Sequence, residues 1–242
     1  MYRVPAMRSL LLLTALAACE PTLPRKSLPD LVRQDPLSAI SVSALGFTPG
    51  EQLTWTVTAK GFTIGRADLA VGDHEIHSRF ETGKLVSAFA RVRHELTTVV
   101  DQTGARAATE ILEVDGTASH HSVEFQGPRF LAGAKVGTIP DGNLGHTLHS
   151  ALGVIRAWAA PEAKAGFLYI VHDGEVYRLD VGRPYVEDLR GRPTLKIAAR
   201  IKGDVSASLT IWLSASADHL PLRLEIGAED VRLTAELLET EA

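Results

Sequence analysis

Apolar and polar residues alternate along much of the chain from Gly50 onward. In residues 53–59 the odd positions are apolar and the even positions are threonine, and a similar alternation recurs over 67–71. A period of two is typical of strands that bury one face. Further strands are predicted over 194–202, 205–213, 220–227 and 231–238, linked by short turns. The pattern predicts an antiparallel meander.

Two Asp-Gly dipeptides predict tight hairpins. They are Asp115-Gly116, between strand patterns at 109–114 and 117–125, and Asp173-Gly174, between patterns at 167–172 and 175–181. Asp-Gly tolerates the positive φ angles that two-residue hairpin loops require.

One segment, from His146 to Ala159, has the period of a helix and ends before Pro161. Its predicted polar face carries Ser150, Gly153 and Arg156. Its apolar stripe consists of Leu148, Ala151, Leu152, Ile155, Trp158 and Ala159. Because this stripe must be buried and the rest of the body is β, the sequence predicts a mainly β (α+β) fold: a curved antiparallel sheet or half-barrel wrapped around one amphipathic helix.

Residues 1–18 predict a lipoprotein signal peptide. Arg3 and Arg8 precede a leucine-rich run at 10–16, which is shorter than the roughly 20 residues that span a bilayer. The run ends in Leu-Ala-Ala before Cys19, which resembles a bacterial lipobox, whose cysteine thiol takes a diacylglycerol. The alternative is an ordinary signal peptide with Cys19 unmodified.

The predicted domain organisation follows from this anchor. Residues 19–49 form a lipidated N-terminus and a Pro-rich tether, with prolines at 21, 24, 29, 36 and 49, and residues 50–242 form a single β-rich domain. Several acyl chains on Cys19 hold the protein permanently at a membrane. Since Glu20 stands where an inner-membrane retention signal has Asp, we expect a lipid-anchored protein of the bacterial cell envelope, on the outer membrane and facing the periplasm.

Composition excludes several classes of function. The formal net charge of −4 gives no reason to expect a nucleic-acid partner. A single cysteine excludes an internal disulfide and a CxxC redox centre. The spacings typical of acyl transfer, metalloproteolysis and nucleotide binding are missing from the sequence, which favours a non-enzymatic protein without a cofactor.

Histidines are the remaining candidates for chemistry. They include three close pairs, His74 and His77, His120 and His121, and His146 and His149. Only the last pair is placed to share a face, at the helix start, and no third ligand is fixed by spacing, so solvated surface histidines are preferred over a metal site. Ser214, Asp218 and His219 lie close in sequence but lack a nucleophile elbow.

The three tryptophans, Trp55, Trp158 and Trp212, lie on the apolar side of their patterns and are most simply core residues. The alternative is that they line an apolar cavity between helix and sheet, together with Leu152 and Ile155.

Two stretches resemble the ends of a bacterial exported family, domain of unknown function 3108. The segment Gly50-Glu51-Gln52-Leu53-Thr54-Trp55-Thr56-Val57 with 61–67 is similar to its opening strand and turn, and residues 209–214 with 220–225 are similar to its closing "WLS … LPLR" strands. The resemblance covers about 50–238, and residues 88–131 depart from it. It implies an envelope protein with a curved antiparallel sheet around a helix, similar to periplasmic lipoprotein carriers, and implies no catalytic residues.

Two functions fit these observations. The first is a non-enzymatic envelope lipoprotein that binds an apolar or amphipathic ligand in the half-barrel cavity. The second is a structural or assembly lipoprotein that contacts another envelope protein through an exposed sheet edge. An elongated cavity beneath Trp158 favours the first, and a core filled by Leu152, Ile155 and Trp158 favours the second.

We expect Cys19→Ser to leave the chain uncleaved by lipoprotein signal peptidase, because serine lacks the thiol that receives the lipid. Metabolic labelling with palmitate should mark the wild-type protein and not this variant. Normal labelling of Cys19→Ser would contradict the lipobox assignment.

Overall fold

The computed structural model describes residues 37–202, 207–228 and 231–238. Within these ranges no helix is long and apolar enough to cross a membrane. The strands are β1 (Ser38–Ala39), β2 (Gln52–Ala59), β3 (Phe62–Val71), β4 (Glu75–Thr82), β5 (Val92–Val100), β6 (Ala105–Val114), β7 (Thr117–Gln126), β8 (Arg129–Ala132), β9 (Lys135–Thr138), β10 (Gly145–His146), β11 (Gly166–His172), β12 (Glu175–Val181), β13 (Tyr185–Leu189), β14 (Arg192–Lys202), β15 (Ala207–Ser214), β16 (Pro221–Ala228) and β17 (Val231–Leu237). The α-helix, α1, is Leu148–Trp158, and two short 3-10 helices cover Val86–Ala88 and Pro140–Gly142.

All the described strands belong to one open, curved sheet. Its order is β1-β10-β11-β12-β13-β14-β15-β16-β17-β2-β3-β4-β5-β6-β7-β8-β9. Strands β12 and β13 both pair with β14, and β1 and β10 both pair with β11. The pairings are antiparallel except that β1 and β10 run parallel to β11. The predicted meander at the C-terminal end is confirmed as β14 to β17, and residues 88–131 contribute β5 to β8 as consecutive neighbours. The mainly β fold is therefore confirmed.

Both predicted Asp-Gly hairpins are present. Asp115 and Gly116 join β6 to β7 with φ angles of 50° and 83°, and Asp173 and Gly174 join β11 to β12 with φ angles of 49° and 69°. These are the positive angles that a two-residue loop requires, which is why short polar or glycine residues occupy them.

Strand β11 is buried on both faces, because another part of the same sheet packs over it. Leu168 and Ile170 pack into the main core with α1, whereas Phe167, Tyr169 and Val171 point the other way. The second face is covered by side chains from the far end of the sheet and the loop after it, Ala105, Phe125, Phe130 and Ile139. The segment β6–β9 therefore lies over the outside of β11, and we call this contact the seam.

Helix α1 begins and ends close to the predicted positions. Thr147 caps its N-terminus in a capping box with Ser150, and Ala159 ends it two residues before Pro161. Ala151, Val154 and Ile155 share one buried cluster with strands β11, β12, β14 and β15.

The prediction that Ser150, Gly153 and Arg156 form a polar face opposite the buried stripe is wrong. Ser150 is 0% exposed and Arg156 is 2% exposed, while Leu148, assigned to the apolar stripe, is 50% exposed. A side chain on Gly153 would place its Cβ 2.6 Å from the Phe47 ring, so only glycine fits there. The helix is buried on this face because a segment before β2 covers it.

The covering segment, residues 37–47, is called the strap. Its strand β1 pairs with β11, Ile40 joins the main core, and Gly46 donates a backbone hydrogen bond of 2.9 Å to the Gly153 carbonyl. The predicted boundary between tether and body at residue 50 therefore has to move toward the N-terminus, because these apolar residues pack on the helix. Residues 1–36, including the predicted signal peptide and Cys19, lie outside the described residues.

A buried ion pair fixes the helix end. The Arg156 guanidinium donates to both Glu51 carboxylate oxygens at 2.8 and 3.2 Å and to the Asp218 carbonyl at 2.9 Å. His219 Nδ1 lies 2.8 Å from the Arg156 carbonyl. The helix is thereby tied to the start of β2 and to the β15–β16 turn.

We expect Arg156→Ala to lower the free energy of unfolding by about 3–5 kcal/mol, because it leaves the largely buried Glu51 carboxylate unpaired. The matched control is Arg190→Ala, which removes an exposed guanidinium bound to Glu236 and should cost less than about 1 kcal/mol. Urea unfolding of both variants measures the difference. Similar small losses in the two variants would show that the buried pair is not needed to position the helix.

Candidate functional site

The space where the sequence predicts an apolar cavity is occupied by side chains. Ile155 is 1% exposed and belongs to the main core, and Leu152 and Trp158 pack against that same core. None of these three residues contributes to either of the two clefts described below. The helix is thus part of a packed core at this point.

The other two predicted lining residues lie elsewhere. Trp55 belongs to a separate cluster with Leu53 and Leu69, and its Nε1 donates to the Pro221 carbonyl at 2.9 Å. Trp212 lies on the opposite face of β15 from the core residues Ile211 and Leu213. It is covered there by cationic groups of Lys196 and Arg223, 4.9 and 5.1 Å from its ring. The structure therefore does not bring the tryptophans together around one cavity.

A cleft of about 260 Å³ lies at the seam, and we call it the seam cleft. It forms where the inner face of β5–β7 meets the β11–β12 hairpin and the start of α1. One part of its lining is apolar, with Leu96, Ala108, Val123, Ala132, Leu148 and Val171. The other part is ionisable or hydrogen-bonding, with Glu110, His120, His121, Ser122, Lys135, Thr147, His172 and Asp173.

The polar part is centred on Glu110. Its carboxylate lies 2.6 Å from His94 Nε2 and 3.3 Å from His172 Nδ1. Burial by itself would raise the pKa of Glu110, but hydrogen bonds from the two histidines outweigh it and hold this pKa well below its ordinary value. The hydrogen bond to Glu110 in turn raises the pKa of His172, against the effect of burial. Glu110 is therefore ionised at neutral pH, and its charge favours the protonated form of His172.

Three polar contacts connect the two sides of the seam. Besides Glu110 and His172, His121 Nδ1 lies 2.8 Å from Asp173, and Lys135 Nζ lies 2.5 Å from Glu175. In each pair one partner comes from β6, β7 or β9 and the other from the β11–β12 hairpin. The contact between Glu110 and His172 is stronger when the histidine is protonated, because the carboxylate raises the pKa of His172.

A second cleft, of about 310 Å³, lies between residues 39–42 of the strap and strands β10 and β11. His146 lines it, is 4% exposed, and its Nδ1 has no hydrogen-bond partner within the described residues. Burial lowers the pKa of His146 to about 4. This imidazole is therefore neutral at neutral pH.

His149, which lies three residues after His146 at the start of α1, has different neighbours. Its ring nitrogens lie 3.1 Å from Thr98 Oγ1 and 2.7 Å from Ser78 Oγ, and burial lowers its pKa to about 3. The prediction of solvated surface histidines is wrong for this pair, because the start of α1 packs against the inner face of β4 and β5. Across the described ranges, no group of three or more His, Cys, Asp or Glu side chains is placed to hold a metal ion.

The remaining sequence candidates are also separated. His77 Nδ1 lies 3.0 Å from Thr97 Oγ1 on an exposed surface, and His74 is exposed. Ser214 Oγ donates to Asp218 at 2.9 Å, but the His219 ring contacts the Arg156 carbonyl at 2.8 Å instead of the serine. These residues do not form a proton relay.

Glu110, His172 and Lys135 were not predicted as site residues from the sequence. A signal for Glu110 was present, since it shares a strand face with Ala108 and Leu112, where the alternation calls for an apolar residue. His94 interrupts the pattern of Val92 and Leu96 in the same way. His172 lies beside Glu110 only because the two ends of the sheet overlap. A local sequence pattern does not predict such an overlap.

We expect the free energy of unfolding to fall as pH is lowered from about 6.5 to about 4. In this window the unfolded chain protonates His146 and His149, whose ordinary pKa is 6.5, while the folded protein keeps both neutral. His172 acts in the opposite direction: its stabilising contribution is complete below pH 6.5 and is lost as pH rises through its raised pKa. Urea unfolding as a function of pH tests this dependence.

The variant His149→Gln should reduce the slope of that dependence by about one proton, because glutamine does not titrate. The matched control, His74→Gln, makes the same substitution at a histidine that is exposed in the folded protein. An unchanged slope in His149→Gln would contradict the assignment of a neutral buried imidazole.

Comparisons with known proteins give a fold and no function. No family model matches the chain, and no curated protein sequence matches it. Among solved structures, the chain is similar to a β-barrel-like protein of domain of unknown function DUF1849 from Brucella abortus, with a TM-score of 0.55 and 10% identity over 84% of this chain and 98% of that chain. At this identity the likeness shows the fold alone, and it agrees with the mainly β, curved architecture.

Proposed function

We propose that this protein is a non-enzymatic, lipid-anchored envelope protein that binds a small amphipathic molecule in the seam cleft. The observation that carries the proposal is the composition of that cleft. Its apolar lining and its cluster of histidine, glutamate and lysine side chains share one space. A ligand with an apolar body and a hydrogen-bonding end complements both parts.

The size of the cleft favours a small ligand, or one end of a larger one. Pockets for drug-sized molecules measure about 300–1,000 Å³, and the seam cleft, at about 260 Å³, is slightly below that range. A fatty acid with its head near His121 or Lys135 and its first methylenes against Val123 and Val171 illustrates the class.

The pairing of polar groups supports binding in preference to catalysis. Glu110 contacts His94 and His172, and His121 contacts Asp173, so the titratable groups stabilise one another across the seam. A general base needs a free lone pair directed at substrate, and a nucleophile needs an adjacent base. The paired arrangement suits a preorganised polar wall.

The envelope location rests on the sequence of the N-terminus. The lipobox resemblance at Cys19 supports lipid anchoring, and Glu20 supports delivery to the outer membrane. Membership of the family named domain of unknown function 3108 is part of the same proposal, supported by the residues quoted for it.

A second candidate, an assembly lipoprotein that acts through protein contacts, is favoured by a different observation. The core beneath α1 is filled by Ile155, Leu152 and Trp158, as that alternative predicts. Strand β9 is an edge of the described sheet and carries Val136, 73% exposed, which a partner strand would cover.

We expect the purified full-length protein to bind the fluorescent fatty acid 11-(dansylamino)undecanoic acid saturably. Leu148→Glu should weaken this binding about tenfold, because it places a charge in the apolar lining. Since Leu148 is half-exposed and begins the helix, where a carboxylate is favourable, the variant should fold normally.

The matched control is Val186→Glu, at a site that is 65% exposed and does not line the cleft. It should bind the probe as the wild type does. Equal affinity in Leu148→Glu would exclude the seam cleft as the site. No saturable binding by the wild type would leave the assembly function as the better candidate.

A further inference from the structure

Three large apolar side chains at one end of the sheet are almost fully exposed to solvent. Phe62 is 77% exposed, Leu85 is 87% exposed and Phe89 is 81% exposed. Phe62 follows the β2–β3 turn, and the other two belong to the loop between β4 and β5. We call residues 60–62 and 83–91 together the aromatic tip.

The two parts of the aromatic tip are neighbours. Strands β3 and β4 pair up to Gly65 and Thr82, and the Gly83 amide then donates to the Ile64 carbonyl at 2.8 Å. Within the loop, hydrogen bonds from the Ser87 amide to Gly83 and from the Phe89 amide to Val86 give the backbone a compact turn. The tip is therefore a folded surface that presents its apolar side chains to solvent.

Basic residues accompany these apolar side chains. Lys60, Lys84 and Arg91 are all exposed, and neither 60–62 nor 83–91 contains an acidic residue. The carboxylate of Asp115, in the neighbouring β6–β7 turn, accepts the Arg91 backbone amide at 2.8 Å. Exposed apolar residues flanked by cations are typical of surfaces that insert shallowly into a bilayer with anionic lipids.

We propose that the aromatic tip inserts into the surface of the membrane to which the protein is anchored, with anionic phospholipid headgroups binding its basic residues. This inference rests on the proposed lipid anchor for its location. It gives the protein a second contact with the membrane and hence an orientation.

The length of the N-terminal chain allows this contact. Leu37 adjoins β1, which pairs with the first residues of β11, at the end of the sheet opposite the tip. The 18 residues from Cys19 to Pro36 reach at most about 60 Å when extended. The longest strand, with 11 residues, is roughly 35 Å long. The anchor can therefore insert in the same membrane that the tip touches.

The orientation also relates the tip to the seam cleft. Strand β2 ends at the tip, and six successive antiparallel pairings connect it through β17, β16, β15, β14 and β12 to β11. Strand β11 therefore points the same way as β2. The Asp173-Gly174 turn, which borders the seam cleft, faces the end of the molecule that the tip directs to the bilayer.

The test uses the full-length protein reconstituted in vesicles of phosphatidylethanolamine and phosphatidylglycerol that carry bromine on their acyl chains. In Phe89→Trp, emission from the new tryptophan should fall about twofold relative to unbrominated vesicles. Bromine quenches an indole only at short range, so an indole buried at the boundary of headgroups and acyl chains is quenched and one in water is not. The wild-type spectrum gives the background from Trp55, Trp158 and Trp212. The matched control, Val186→Trp, places an indole at an exposed site on β13 and should not be quenched.

The charge requirement is tested by adding Lys60→Glu and Lys84→Glu to Phe89→Trp. Quenching should then decrease in vesicles with phosphatidylglycerol, because the headgroups repel the new carboxylates. Equal quenching of tryptophan at positions 89 and 186, or no quenching at 89, would overturn the proposal. The second result is also the one expected if the aromatic tip binds a protein instead of the membrane.

If tryptophan at 89 is quenched but the protein takes up no palmitate, membrane insertion of the aromatic tip is supported and the proposed lipid anchor is rejected.

Discussion

The burial of strand β11 on both faces is the constraint on which the other features depend. One face completes the core around α1, and the other is covered by Phe125 and Phe130 from the far end of the sheet. Within the described residues, the edge strands β1 and β9 are not hydrogen-bonded to each other. The overlap is held instead by the apolar area buried at the seam. The same overlap places Glu110 beside His172, and so creates the seam cleft.

The enclosure of α1 introduces a second constraint. With the sheet on one side and the strap on the other, Arg156 has almost no access to water. The two hydrogen bonds that Arg156 donates to Glu51 and its contact with the Phe47 ring compensate for this lost hydration. Such a pair contributes less to net stability than to position, since only one placement of the helix satisfies both charges. Glu51, in the Gly50-Glu51 segment quoted for the family resemblance, therefore has a structural role as the partner of Arg156.

The two ends of the sheet differ in chemical character, and the proposed function uses the difference. At one end Arg156, Glu51 and the β15–β16 turn close the core. The other end carries the aromatic tip and the turn beside the seam cleft. An amphipathic ligand that partitions into a bilayer would meet the protein at this second end. Ligand binding and membrane contact are therefore compatible in one orientation of the molecule.

Local patterns of residues were sufficient to predict much of the secondary structure of this protein. Period-two alternation located β14 to β17, Asp-Gly dipeptides located two hairpins, and a 3.6-residue period with a terminal proline located α1. These features depend on neighbours in the chain. Which surfaces are covered depended on contacts between distant residues: the strap covers Gly153 and Arg156, and Trp212 lies on the face of β15 that points away from the helix. An alternating pattern distinguishes two faces but does not say what packs on each, so the seam and its cleft followed only from the overlap of residues distant in sequence.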